Sequence, residues 1–384
     1  MLAGTGYVKH GWAKLSLWAA GLLAVRLAIY ALYTEHAAQL PAALCHWDCW
    51  WYVHTAISGY DLSPIATKGL GYGQANWAFL PLYPLLIHVA AWTGLSDVQA
   101  GFVISNICFL GFMLLSYRYL CLLRAAPDPL LLFGFLVSFP YGIYFSLPYT
   151  ESLYAALTIA AFLELEAQHA LRSSIFSSLL GATRVTGILM LPAAAARLLQ
   201  VAWPQIRQGK WQSAMPRLAD WVLPLAIMPV GLLLFMAYLY MHVGNALAFI
   251  HIQAAWQRTS GNPFTQLLAG LGAAIYPGLT QAVRSDSILL SCCGIAGLLL
   301  SFWIARRGHF AEAVFLSLTV LTAASTGLIS LQRFVLSNPV FLLFLFLLLS
   351  TGWRRRFLPY LIALSAALQL YFLHLWLHSS PWLV

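Results

Sequence analysis

Charge is what this sequence most lacks. Only 8% of its 384 residues are Asp, Glu, Lys or Arg, against about a quarter in an ordinary soluble domain. So few charges cannot cover a water-facing surface, which excludes a soluble enzyme and a disordered chain. The phosphate-cradling G-x-x-x-x-G-K-[ST] loop and the metal-binding H-E-x-x-H pattern are both missing. The six cysteines, Cys45, Cys49, Cys108, Cys121, Cys292 and Cys293, lack the paired C-x-x-C spacing of a zinc site, and they are too few for a disulfide scaffold. There is no N-x-[ST] sequon, no internal inverted repeat, no low-complexity segment and no long polar domain.

What is present is apolar. Hydrophobic residues make up 61% of the chain and aromatics 14%, with a mean hydropathy of +0.79. This composition predicts an all-α polytopic membrane protein, because only helices and closed barrels satisfy the backbone inside a bilayer. At about 20 apolar residues per span, the length holds about ten or eleven transmembrane helices. The net charge of +9 reads as membrane orientation and implies no nucleic acid. The first apolar stretch, 14–33, is of span length without a small-residue cleavage site, and reads as a retained helix.

Further apolar stretches lie near 98–123, 129–147, 149–168, 173–200, 218–242, 287–305, 311–329, 334–351 and 357–378. With Lys9 and Lys14 cytoplasmic, the positive-inside rule places Arg118, Arg124, Arg172, 197–217, Arg306, Arg307 and 354–356 on the same side. This parity requires 34–97 to lie wholly outside. The apolar piece 79–94, with Pro81 and Pro84 near its start, is then an interfacial helix rather than a span. It also requires 173–200 to be two short helices meeting near Arg184, an elbow that membranes tolerate only where protein or a cavity surrounds it. Lys68, Arg184, Arg258, Arg284 and Arg333 are the positive residues left outside. Asp48, Asp61, Asp97, Glu151 and Asp286 gather there too.

The strongest local signal is HWDCWWYVHTAISGYD at 46–61, in which Asp48 stands among Trp47, Trp50, Trp51 and Tyr52. An interfacial aromatic belt accounts for the tryptophans and not for the acid. Helical spacing puts Asp48, Trp51, Tyr52 and Thr55 on one face. A second signal, FPYGIYFSLPYTESLYAAL at 139–157, brings Glu151 to the outer face beside Ser146, Tyr149, Thr150 and Ser152. Helix capping assisted by Thr150 or Ser152 is its simpler reading, and is compatible with catalysis. In GATRVTG at 181–187, Arg184 either pairs with an acid or meets an anion such as phosphate. Arg333, in SLQRFVLSNP, is the second candidate phosphate ligand, with snorkelling at a helix end as the alternative.

In these pieces the chain resembles the PIG-V-like mannosyltransferases, the family of the second GPI mannosyltransferase and its bacterial relatives within the GT-C glycosyltransferase superfamily. The resemblance is carried by WDCWWY at 47–52, GY at 59–60, AFLPLYP at 78–84, YTESLYAAL at 149–157, TRVTG at 183–187 and QRFVLSNPVF at 332–341. Each is weak alone, and the ordered set is specific. The resemblance implies a single GT-C membrane domain over 1–384: first span 14–33, outer loop 34–97 with juxtamembrane helices, and the remaining spans in 98–384. It implies Asp48 and Glu151 as the catalytic acids, and Arg184 and Arg333 as ligands of the donor phosphate. GNALAFIHIQAAWQR at 244–258 is similar to an outer-loop segment of bacterial members, with Asn245 where they often carry Asp.

The expected activity is transfer of a hexose, mannose first, from a polyprenyl-phosphate sugar to a glycan or lipid acceptor hydroxyl at the periplasmic or lumenal face, with inversion. Trp47, Trp51, Tyr52, Tyr83, Tyr149 and Gln253 are expected to line the substrates, beside membrane lipid. No nucleotide-binding loop is required. Asp48 and Glu151 could share a Mg or Mn ion with substrate phosphate, although two acids alone do not demand a metal. A transporter or flippase of a lipid-linked or anionic substrate is the rival, and should place its charges near the midplane in two related halves. Absent sequons and retention signals point to a bacterial inner membrane, with the endoplasmic reticulum as the alternative.

Overall fold

Phe139 stands before a proline, and the chain there turns out of helix (φ −56°, ψ 136°), as a pre-proline residue is pushed to do. The predicted continuous stretch 129–147 is therefore a helix Pro129–Ser138 followed by a 3-10 turn Pro140–Phe145. The same chemistry divides 334–351. Helix Leu331–Leu336 stops, and Asn338 accepts the N–H groups of Val340 and Phe341 (2.9 and 3.3 Å) to start helix Pro339–Leu349.

The computed structural model describes residues 11–34, 39–66, 71–258, 260–273 and 281–380. Lys9 and Lys68 lie outside the described residues, and for Arg284 only its place in helix Gln281–Arg306 is described. Among the described residues the structure is all-helical. Six helices among the described residues are long and apolar enough to cross a membrane: Trp12–Tyr33, Asp97–Leu122, Val185–Arg207, Val222–Val243, Asp286–Arg306 and Gly352–Leu377. Leu82–Ala91, Pro129–Ser138, Phe310–Ser325 and Pro339–Leu349 are apolar but shorter. The protein is a multi-pass membrane protein. These six long helices are fewer than the ten or eleven spans expected: prolines break 129–147 and 334–351, while Glu151–Glu166 and Phe310–Ser325 are helices of only 16 residues. The 79–94 stretch forms only the ten-residue helix Leu82–Ala91, half of what a bilayer requires.

The chain forms two compact units. One contains Met1–Ser58, Leu82–Ala167 and Leu342–Leu383. At its centre, helix Asp97–Leu122 lies along helix Glu151–Glu166, with Trp12–Tyr33, Asp48–Ser58 and Leu82–Ala91 packed around the former. Gly101 permits this: a Cβ there would stand 3.1 Å from Pro148 and 3.4 Å from the Tyr83 hydroxyl. Helix Leu358–Leu377 covers the 3-10 turn. From it, Gln369 donates to the carbonyls of Val137 and Phe139 (3.0 and 2.6 Å) while accepting from Tyr30 (2.9 Å). Carbonyls freed by the proline break thus find protein donors, as apolar surroundings require.

The other unit contains Gly59–Pro81 and Gln168–Phe341. Helices Gln281–Arg306, Phe310–Ser325 and Met190–Arg207 pack in series, and Ala170–Gly181 lies against Val222–Ile227 and Val230–Val243. Leu80, Leu232, Phe235, Leu239, Ala248 and Phe249 form a buried cluster bordered by Tyr60 and Trp77. The predicted elbow near Arg184 is present, but only the helix before it is short: the 3-10 turn and helix after it run together over Val185–Arg207, 23 residues, enough to cross a membrane. Helix Ala170–Gly181 ends, Arg184 is extended, and 3-10 turn Val185–Leu189 leads into Met190–Arg207. Gly187 folds back so closely that a Cβ would meet the Leu180 carbonyl oxygen at 2.3 Å.

Candidate active site

Asp48 is the first residue of helix Asp48–Ser58, and the predicted shared face exists: Tyr52 and Thr55 are buried along it, while Asp48 is half-buried. Its backbone N–H donates to the Tyr149 hydroxyl (3.1 Å), which itself donates to the His46 carbonyl (2.8 Å). One turn on, the Tyr52 hydroxyl meets Thr150 Oγ1 at 3.2 Å. The two sequence signals, 46–61 and 139–157, are therefore joined at consecutive residues, and Glu151 follows directly.

Glu151 opens helix Glu151–Glu166 and is 2% exposed. The helix start favours its negative charge through the aligned peptide dipoles. The capping expectation is corrected: Thr150 makes no cap bond, its hydroxyl being turned to Tyr52, and Ser152 donates to the Phe145 carbonyl (2.5 Å). Tyr83 is fully buried, with its hydroxyl at the Gly101 carbonyl (2.9 Å) and Ser105 Oγ (2.7 Å). Burial holds its phenol well above the ordinary range, so it stays a neutral donor. Tyr52 packs edge-on against Tyr83 and Tyr149 (ring centroids 5.3 and 6.2 Å apart). Trp47 is exposed and Trp51 half-buried. The aromatic residues thus split into buried tyrosines, bonded around the Asp48 backbone, Thr150 and Ser105, and tryptophans that are more exposed.

Of two other acids, Asp61 has a backbone task and Asp97 stands at a helix start. Asp61 accepts the Asn76 N–H (3.0 Å) while Asn76 Oδ1 accepts that of Asp61 (2.9 Å). Asp97 sits in the first turn of a helix capped by Ser96 and Gln99.

In the second unit two arginines share one aromatic ring. Arg184 lies over the Phe334 ring, its Cζ 4.8 Å from the centroid, and Arg258 approaches the same ring at 5.7 Å. Arg333 precedes that ring and is 6% exposed, so it does not snorkel into water. Gln332 is buried with its Oε1 unpartnered. Gln253 is half-buried in the turn Ile252–Trp256, where its carbonyl accepts the Arg258 N–H (3.3 Å). Asn245 caps its own turn at Leu247 (3.0 Å) and meets His251 Nδ1 (2.9 Å). Guanidinium groups gathered on an aromatic face suit an anion.

The family model for Mannosyltransferase (PIG-V) matches residues 23–248, more than half of the chain. The chain belongs to the PIG-V mannosyltransferase family. It is therefore a membrane glycosyltransferase that takes mannose from a sugar donor to an acceptor. No curated protein matches it. Within this PIG-V family member the matched region includes Asp48, Glu151 and Arg184, whereas Gln253, Arg258 and Arg333 lie beyond it.

Two features of the PIG-V chain escaped sequence reasoning. Cys45 and Cys49 form a disulfide around His46, Trp47 and Asp48; the only signal in the sequence is their closeness, four residues apart. Arg26 is the second. Buried at 4% exposure in helix Trp12–Tyr33, it donates to the carbonyls of Gly142 (3.1 Å) and Val137 (3.3 Å) and to Ser146 Oγ. Its guanidinium lies 4.5 Å from the Phe109 ring centroid, and Ser146 passes the chain of bonds to Asn106 (2.6 Å). The signal was available: a lone cation inside an apolar run marks a site of structural or functional weight.

Proposed function

We propose that this protein is a GT-C type enzyme that moves mannose from a polyprenyl-phosphate donor to an acceptor hydroxyl at the outer membrane face, inverting the anomeric centre. The observation that carries the reading is the joining of Asp48 to the segment bearing Glu151 through Tyr149 and Tyr52. Asp48 takes the acceptor's hydroxyl proton as the oxygen forms its bond to the anomeric carbon. The bond from that carbon to the phosphate oxygen breaks, and its electron pair leaves on the lipid phosphate. Arg184 and Arg333 hold that phosphate as its charge develops. Glu151 orients the acceptor or the sugar hydroxyls, and Trp47, Trp51 and Gln253 border the substrates.

The Cys45–Cys49 bond supports the outer face, since disulfides persist in oxidising compartments. It agrees with the charge parity that put 34–97 outside. If Mg or Mn takes part, Asp48 and Glu151 are the residues that would hold it, and substrate phosphate would have to complete the shell, since no group of three metal-binding side chains occurs among the described residues. A bacterial inner membrane with a periplasmic site fits these features.

The test is transfer of radiolabelled mannose from synthetic polyprenyl-phosphate-mannose by purified protein, with membrane lipid extract as acceptor, beside Asp48→Asn and Arg184→Ala. Wild-type transfer that falls at least about 100-fold in Asp48→Asn supports the reading. A protein that neither binds nor uses the donor returns attention to a transporter.

A further inference from the structure

Asp48 sits where a helix ordinarily frays, at its first residue. Here the start is held from several sides. The Cys45–Cys49 bond closes a ring over the residues before Asp48, with both sulfur-bearing residues buried at 2% and 0% exposure. Within it Trp47 has φ +54°, a left-handed conformation that a bulky residue keeps only when its surroundings impose it. The His46 carbonyl accepts from Cys49 N–H (3.1 Å) and from the Tyr149 hydroxyl (2.8 Å), and the same hydroxyl accepts from Asp48 N–H (3.1 Å).

Tyr149 cannot swing away. It is 1% exposed, and its ring meets Trp376 edge-on (5.7 Å), while Trp376 donates to the Leu44 carbonyl (3.1 Å) just ahead of the disulfide. A bridge spanning four residues closes a very short loop, so it constrains the unfolded chain less than a long-range bridge would. Its effect falls on the local backbone, which is the backbone of Asp48.

We infer that the Cys45–Cys49 disulfide and the Tyr149 hydroxyl form a positioning clamp that fixes the main chain of Asp48, so that transfer depends on the bond being formed. The inference rests on the proposed role of Asp48 as base. Neither group touches the reacting atoms. Both are positioning residues, and they act on the same element.

The experiment compares the full-length wild type with Cys45→Ser/Cys49→Ser, Tyr149→Phe and the triple variant in detergent or nanodiscs. Initial rates with polyprenyl-phosphate-mannose are measured alongside hydrogen–deuterium exchange of the peptide covering 46–50. The expected result is a kcat lower by about 10- to 100-fold, with donor KM within about twofold. Exchange at 46–50 should be at least about tenfold faster, with helix Asp97–Leu122 unchanged. The triple variant should be no worse than the poorer of its parents, because the losses are shared.

The clamp is overturned if exchange at 46–50 is unchanged, or if kcat stays at the wild-type value while exchange rises. It is also overturned if exchange rises throughout the chain, which marks a general staple. A wild-type protein that transfers no mannose defeats the enzymatic reading separately, and exchange at 46–50 then decides by itself whether the clamp exists.

Discussion

The Tyr149 hydroxyl receives the backbone N–H of Asp48 at 3.1 Å across 101 residues of sequence. This bond ties the start of helix Asp48–Ser58 to the turn that leads into Glu151, and both acids lie in one unit of the structure. Tyr149 was expected to line the substrate. Its burial and occupied hydroxyl make support of Asp48 the role that the geometry favours.

Glu151→Gln keeps the shape of the side chain and removes its charge. If Asp48 is the base and Glu151 orients a hydroxyl, kcat should fall about 10- to 100-fold, less than the loss in Asp48→Asn. Single-turnover rates for both variants decide the order, and a larger loss in Glu151→Gln would exchange the two assignments.

Arg184→Ala and Arg333→Ala should each lower kcat by about 100-fold, or about 3 kcal/mol, if both stabilise the departing phosphate. Phe334→Leu, which removes the ring that Arg184 and Arg258 share, should give a smaller loss. Equal binding of polyprenyl phosphate by wild type and Arg184→Ala would remove Arg184 from the phosphate site.

Arg26→Met replaces the buried cation with a side chain of similar length. The Gly142 and Val137 carbonyls and the Ser146 hydroxyl would each lose a donor, at about 1–3 kcal/mol for a buried group left unpaired. The thermal midpoint in detergent should fall clearly, and Arg26→Lys should recover part of the loss. An unchanged midpoint in Arg26→Met would show that the network adds nothing to stability.

Gly187→Ala puts a methyl group 2.3 Å from the Leu180 carbonyl oxygen, so the elbow must open. Overpacking of this kind costs about 1–3 kcal/mol, and Arg184 should move with the backbone. The midpoint should drop, and the donor KM should rise more than kcat falls. Wild-type values for both would mean that the chain here yields without displacing Arg184.

The class of protein was legible in composition, because a chain with 8% charge and a mean hydropathy of +0.79 has nowhere to bury itself except a membrane. The shortness of the helix at 82–91 and the elbow at Arg184 were legible too. They followed from charge parity, which is a property of sequence order and needs no packing information. Asp48, Glu151 and Arg184 stood out because a charge in an apolar run is costly unless it has a purpose. The breaks at Pro140 and Pro339 are also written in the sequence, in the prolines themselves, although a hydropathy average over a window does not register one missing N–H. Two things only the tertiary structure decided. Thr150 turned to Tyr52 instead of capping its helix, a choice between local and long-range partners that a linear sequence cannot rank. Arg26, the disulfide and the Tyr149 bond depend on which distant carbonyls, thiols and amides come within reach once the helices pack, and sequence spacing carries no measure of that distance.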